Sequence, residues 1–132
     1  MFILEKSFRF EAAHHLPYHM GLCARVHGHS WQITVAVAGT KLGTYKSGSD
    51  SMLLDYGDIK SVVQPIVNEY LDHWDLNVTT GLESPTSEAL AVWLWGKLGK
   101  SFTGRAHLYS ITVEETCTSK CTYTGAYIEG DA

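Results

Sequence analysis

The stretch that most constrains this chain is Cys23-Ala24-Arg25-Val26-His27-Gly28-His29, which sets a thiol, a guanidinium and two imidazoles close together. It heads an alternating run, His27-x-His29-x-Trp31-x-Ile33-x-Val35-x-Val37. Side chains along a β-strand alternate between its faces, so both imidazoles stand on the face that carries Trp31 and the aliphatics. Upstream, the even positions Phe2, Leu4, Lys6, Phe8, Phe10, Ala12 and His14 form an apolar face, broken once, that ends in a third imidazole. Antiparallel pairing of the two strands sets the end of the first beside the start of the second, and His14 then meets His27 and His29 on a common side. Three neutral imidazoles suit zinc, and a three-His set leaves one coordination position open, as catalytic sites do. His15 has the wrong parity and His19 falls in the connecting loop, so both rank behind His14. Were Cys23 a fourth ligand, the site would instead be a closed structural centre.

The rest of the composition narrows the class. A chain of 132 residues, 45% of them hydrophobic, reads as a single domain over 1–132 with a core of its own. A net charge of -4 and the lack of a basic run argue against a nucleic-acid surface. The first residues meet charge too early for a signal sequence, and no apolar run reaches membrane-spanning length, so no membrane partner is expected. An odd set of three cysteines, without a disulfide framework, points to a reducing compartment and a cytoplasmic location.

In chain order, residues 15–26 form a long hairpin loop that carries Cys23, and the second strand runs to about Ala38. Glycines and serines over 39–51 mark a turn or crossing. Ile59, Val62, Val63, Ile66, Val67, Tyr70 and Leu71 follow the spacing of one buried helical stripe, with Asp55 or Asp58 to cap it. Pro65 conflicts with an unbroken helix, so a kink or two short helices are expected. Ser84-Pro85-Thr86-Ser87-Glu88 opens a second helix, with a hydroxyl cap, Pro in the first turn and an acid at the positive end of the dipole. That helix carries Leu90, Trp93, Leu94 and Leu98 and stops near Gly99. A third strand, Arg105 to Glu115, sets His107, Tyr109, Ile111, Val113 and Glu115 on one face, and a fourth covers about Cys121 to Ile128. The order is β-β-α-α-β-β: an α+β fold with a four-stranded antiparallel sheet and two helices on one face. Its two open edges favour association with further copies.

Several residues suit chemistry beside an open zinc site, which polarises oxygen ligands and acidifies hydroxyls. Cys23, near a dication and Arg25, has the setting of a thiolate. Asp72-His73 offers a second proton carrier, or alternatively a helix C-terminal cap. Glu115 can accept paired N–H donors from a flat heterocycle, although a strand-end Glu is also an ordinary solvated residue. Cys117 and Cys121 lack zinc spacing and read as incidental or packed thiols.

Five motifs in order then carry a resemblance across essentially the whole chain. They are Phe10-Glu11-Ala12-Ala13-His14, Cys23-x3-His27-Gly28-His29, Leu71-Asp72-His73-x2-Leu76-Asn77, Pro85-Thr86-Ser87-Glu88 and Glu114-Glu115-Thr116-Cys117-Thr118. Together they resemble the 6-pyruvoyl-tetrahydropterin synthase superfamily, and most of all its bacterial branch, which makes 6-carboxy-tetrahydropterin for queuosine (7-deazaguanine) biosynthesis. The resemblance implies a tunnelling fold whose subunits join edge to edge into a barrel, often as a hexamer with active sites at subunit interfaces. It implies zinc on His14, His27 and His29, a proton-abstracting Cys23, and Asp72 with His73 as a relay from a neighbouring subunit. Glu115 would anchor the pterin ring, with Thr86 and Glu88 near it. The implied substrate is 7,8-dihydroneopterin triphosphate, converted to 6-carboxy-5,6,7,8-tetrahydropterin with release of acetaldehyde and triphosphate. The alternative is a 6-pyruvoyl-tetrahydropterin synthase, which eliminates triphosphate without cleaving a carbon–carbon bond. A zinc-binding module without turnover is the reading from a different class. No motif fixes the triphosphate site, for which Arg25, His19 and Lys120 are electrostatic candidates.

Overall fold

The computed structural model describes residues 1–127. Two long strands, β1 (Phe2–His14) and β2 (His27–Gly39), pair antiparallel from end to end. Their register sets His14 opposite His27 and Ala12 opposite His29, so the expected meeting of the three imidazoles follows from pairing alone. The crossing after β2 leads into α1 (Tyr56–Ile66), where Asp55 caps by accepting from the Gly57 N–H at 2.8 Å. Pro65 does not split this helix. Instead α1 runs through it and widens into a π-helical turn at Val67–Leu71, closed by the Asp72 N–H on the Val67 carbonyl at 2.8 Å. The helix thus carries Pro65 without a break, and the looser turn follows it.

The chain then forms a two-residue strand, β3 (Trp74–Asp75), a one-turn helix, α2 (Leu76–Thr79), and a longer helix, α3 (Ser87–Leu98). Thr86 caps α3 by accepting from the Ala89 N–H at 3.1 Å. Pro85 therefore precedes the cap instead of lying in the first turn, and its carbonyl faces elsewhere. Two further strands, β4 (His107–Thr116) and β5 (Ser119–Tyr123), complete a five-stranded sheet in the order β3-β1-β2-β4-β5. The fifth strand corrects the expected count of four: β3 pairs parallel with Ala12 and Ala13, and two residues are too short to show alternation. The predicted last strand is shorter than expected at its described end, and Ile128 lies outside the described residues.

The third predicted strand also needs one correction. In β4 the register shifts opposite Ala36 and Val37, which face Ser110 and Leu108, so Tyr109 is an extra, unpaired residue. This bulge reverses parity on its N-terminal side, turning Leu108 into the core and leaving His107 and Tyr109 exposed. Beyond it the expected inward face holds for Ile111 and Val113.

The core lies between one face of the sheet and the helices. Phe10, Trp31, Ile33, Val35, Ile111 and Val113 meet Ile59, Val63, Val67, Leu71, Leu90, Leu94 and Leu98. Each such side chain contributes about 1.5–3 kcal/mol on full burial. The other sheet face is polar, with rungs between Ser7 and Thr34, Glu11 and Ser30, Gln32 and Glu114, and Thr112 and Thr122. Among the described residues β3 covers only Ala12 and Ala13, so the rest of β1 is an open edge, as is the outer side of β5. Among the described residues no helix is long and apolar enough to cross a membrane.

Candidate active site

His14, His27 and His29 converge at the end of the β1–β2 ribbon. Their ring centroids lie 4.5, 5.2 and 4.9 Å apart, with the planes steeply inclined rather than stacked. Trp31 forms the floor, its ring 4.9 Å from His14 and 5.5 Å from His29, and its indole N–H donates to the Ala12 carbonyl at 3.1 Å. His14 is fully buried. Its Nδ1–H donates to the Pro85 carbonyl at 2.8 Å, and the His27 Nδ1–H donates to the Arg25 carbonyl at 2.7 Å. A carbonyl can only accept, so in its neutral form each ring carries the proton on Nδ1 and the lone pair on Nε2. The Nε2 atoms of all three histidines are shielded from water and have no hydrogen-bond partner.

Orphaned acceptors of this kind, brought together with their tautomers set, suit a cation. Glu115 completes the set from the end of β4, its Oε1 3.0 Å from His14 Nε2 and 2.8 Å from His29 Nε2. One ligand atom from each of His14, His27, His29 and Glu115 lies within 4.8 Å of all the others. A tetrahedral ion with bonds near 2.0–2.1 Å separates its ligands by about 3.3 Å, within reach of small side-chain adjustments. Desolvation, reinforced by the two neighbouring imidazoles, holds the His29 pKa below the usual histidine range against the opposing pull of Glu115. The neutral form that results is the one that binds metal. The group could therefore hold a metal ion, with a carboxylate where sequence reasoning placed only a ring anchor.

The loop between β1 and β2 is braced from the α2 region. The Asn77 side chain accepts from the His15 N–H at 2.9 Å and donates to the His15 carbonyl at 2.9 Å and the Glu83 carbonyl at 3.1 Å. This clamp fixes the residue after His14. It also ties the loop to the segment whose Pro85 carbonyl orients the His14 ring. The Tyr18 hydroxyl donates to Glu83, a second cross-brace. His15 is held by its backbone and stands outside the ligand group, and His19 accepts from the Gly21 N–H. Cys23 sits half-buried in a short 3-10 turn, Leu22–Ala24, with its carbonyl accepting from the Leu16 N–H at 2.8 Å. Its sulfur is not part of the four-residue ligand group. Tyr18, Met20, Leu22 and Val26 are exposed along the same loop.

Asp72 and His73 hook onto the same ribbon at Glu11, near its histidine end. Asp72 Oδ1 accepts from the Glu11 N–H at 3.0 Å, while the His73 N–H donates to the Glu11 carbonyl at 2.6 Å. His73 adopts φ 64°, a left-handed conformation unusual for a residue with a Cβ. Its ring stays near Asp72, Nδ1 to Oδ1 3.0 Å, and its side chain is 79% exposed. The Glu11 N–H, with a smaller contribution from His73, lowers the Asp72 pKa against desolvation. His73 lines a cleft with Glu11, Ala12, Gly28, His29 and Ser30.

The remaining predicted residues divide. Thr86 uses its hydroxyl to cap α3, whereas Glu88 shares a second cleft with Glu115, Ser119, Lys120 and Cys121. Nearby Glu88 adds to the desolvation that raises the Cys121 thiol pKa. Sequence reasoning missed Asn77 as a brace and the Pro85 and Arg25 carbonyls as ring partners. Backbone acceptors leave no mark in side-chain chemistry. Asn77 stood inside a quoted motif, where its two-sided amide was the available clue.

Known proteins resemble this chain over nearly its whole length. The family model described as 6-pyruvoyl tetrahydropterin synthase matches residues 3–126. A 6-carboxy-5,6,7,8-tetrahydropterin synthase from Synechocystis is 48% identical, over 93% of this chain and 93% of its own. A second protein of that name, from Bacillus subtilis, is 28% identical over 92% of this chain and 84% of its own. Among solved structures, the 6-pyruvoyl tetrahydropterin synthase of Caenorhabditis elegans superposes with a TM-score of 0.76 at 24% identity, covering 95% of this chain and 96% of that one. At that identity the likeness speaks for the fold.

Proposed function

The chain belongs to the 6-pyruvoyl tetrahydropterin synthase family, on its 6-carboxytetrahydropterin synthase branch, and from that premise we propose that it acts on 7,8-dihydroneopterin triphosphate. The product is 6-carboxy-5,6,7,8-tetrahydropterin, formed with uptake of water and loss of acetaldehyde and triphosphate in the cytoplasmic route to queuosine. The observation that carries this reading is the convergence of three shielded Nε2 lone pairs beside a carboxylate.

The metal in this reading is zinc, held by His14, His27 and His29, and when bound it supplies Lewis acidity toward the hydroxyls of the substrate side chain. Pro85 and Arg25 keep two of the rings aimed through their Nδ1–H bonds. Glu115 accepts the paired N–H donors at the amino-pyrimidinone edge of the pterin, a match for the two oxygens of a carboxylate. Cys23 takes the proton from the side-chain carbon, and half-burial keeps its sulfur reachable from solvent. His73, with Asp72 beside it, moves a second proton. Its exposed ring suits delivery to the site of another copy rather than its own. Glu88 and Lys120 line the cleft at Glu115, close enough to border the same ring edge.

Assembly follows from the same reading. The open edges of β1 and β5 and the exposed apolar side chains of the Cys23 loop would be covered by neighbouring copies in a homo-oligomer, a hexamer in the family pattern. The domain acts as one unit over 1–132.

The test is incubation with 7,8-dihydroneopterin triphosphate, mass analysis of the pterin product and an acetaldehyde assay. Carboxy-tetrahydropterin with equivalent acetaldehyde is the expected result. A 6-pyruvoyl product without acetaldehyde would move the chain to the other activity of the family. An unchanged substrate with a metal-loaded protein would refute both.

A further inference from the structure

Glu115 stands in two relations at once. It lies against the imidazole cluster, and it lines the open cleft with Glu88, Ser119 and Lys120. We propose that Glu115 serves both sides in turn: it is the fourth metal ligand while no substrate is bound, and it leaves the metal when a pterin ring arrives to occupy it. The inference rests on the zinc and pterin assignments above and adds an exchange to them.

The argument starts from donors and acceptors. The His14 Nδ1–H is committed to the Pro85 carbonyl, so the ring in its neutral form offers only a lone pair at Nε2. An ionised carboxylate likewise offers only lone pairs. Two acceptors 3.0 Å apart repel each other unless a cation lies among them, and the same oxygen also stands 2.8 Å from His29 Nε2. One carboxylate oxygen is thus shared between two buried imidazole nitrogens and lies within 4.8 Å of a ligand atom of the third, His27. Ligands gathered around an ion take this arrangement. A carboxylate as fourth ligand is ordinary zinc chemistry and closes the set against water.

Position makes the exchange physically simple. Glu115 falls where the β4–β5 register is irregular, between Val113 and Thr116, and its side chain is 30% exposed. Its carboxylate thus borders buried imidazoles on one side and solvent-filled space on the other. Turning from one to the other requires side-chain rotation, without breaking the β2–β4 ladder. An open position on the metal would then exist only when a pterin is present to hold Glu115 away. This limits adventitious chemistry at an exposed Lewis acid.

Linkage supplies a test that does not depend on turnover. Unsubstituted pterin, which has the ring edge but no side chain to ligate the metal, should draw Glu115 off without replacing it. Pterin and zinc should then weaken each other by the same factor. The experiment measures zinc affinity by competition with a chromophoric chelator, for wild type and Glu115→Gln, with and without saturating pterin. Pterin binding is followed by its own fluorescence. Glu115→Gln is expected to bind zinc about tenfold or more weakly. Pterin should weaken zinc binding several-fold in the wild type and leave the variant unchanged. Equal zinc affinities in the two proteins would overturn the proposal, as would pterin that binds the wild type with no effect on zinc, or fails to bind it. The wild-type arm stands even if the variant does not fold. Absence of zinc binding by the wild type would instead strike the metal assignment itself, and the exchange with it.

Discussion

Replacing Asn77 by Ala should cost this protein more than any other single polar change near the site. The side chain makes three hydrogen bonds, two to the His15 backbone at 2.9 Å each and one to the Glu83 carbonyl at 3.1 Å. A typical intramolecular hydrogen bond contributes about 0.5–1.5 kcal/mol net, and the more exposed bond to Glu83 belongs at the low end. The sum is about 2–3 kcal/mol, because the part-buried His15 N–H and carbonyl would be left without partners. For a domain of this size that corresponds to a fall in Tm on the order of 10 °C. Urea denaturation of Asn77→Ala and wild type, both under excess chelator, isolates this loss from metal binding. Repeating it with zinc should widen the gap, since freeing His15 also loosens His14. Asn77→Asp should be at least as damaging, because it keeps the acceptor but sets a carboxylate against two carbonyls. A stability within about 0.5 kcal/mol of wild type, with unchanged zinc affinity, would refute the reasoning that this amide braces the site.

Cys23→Ala should retain metal but lose turnover, and loss of metal from that variant would favour a closed structural centre. Mixing inactive Cys23→Ala and His73→Ala subunits should restore part of the activity, and no recovery despite proven exchange would count against sites shared between copies. Asp72→Asn should fold and lose activity, because its Oδ1 can still accept from the Glu11 N–H. The carboxyl pKa of Asp72 is depressed in the folded state, so its stabilising contribution is present above the ordinary Asp value and lost as pH falls through the depressed one. Any wild-type advantage over Asp72→Asn near neutrality should therefore shrink on acidification in pH-resolved denaturation, and one that persists unchanged at low pH would contradict this. Gly39→Ala would put a Cβ 2.2 Å from the Arg105 carbonyl oxygen and 2.6 Å from Leu53 Cδ1. It should lose about 1–3 kcal/mol by denaturation, and a neutral result would dispute that packing.

How far the sequence could be read depended on whether a feature repeats. The β1–β2 ribbon alternates over its whole length, so the meeting of His14, His27 and His29 could be derived before any coordinates. The stripe from Ile59 to Leu71 survived Pro65 because the π turn kept its residues facing the sheet. Features without period stayed hidden. A two-residue parallel strand at Trp74–Asp75 has no pattern, and one extra residue at Tyr109 was enough to reverse the expected facing of His107. The site divides the same way. Its candidate ligands announce themselves by residue type, whereas the Pro85 carbonyl, the left-handed turn at His73 and the approach of Glu115 to the imidazoles depend on tertiary placement. The role read for Glu115 from its residue type, acceptor of paired N–H donors, concerned a heterocyclic ring rather than the metal.

The central claim is that three imidazoles delivered by one β-ribbon hold the ion on which the chemistry depends. Its most direct test is metal content after equilibration with zinc and removal of the excess, for wild type and His29→Ala, with folding checked by circular dichroism. One zinc per wild-type chain and almost none on a folded His29→Ala chain is the result expected. Full stoichiometry retained by the variant would contradict the assignment.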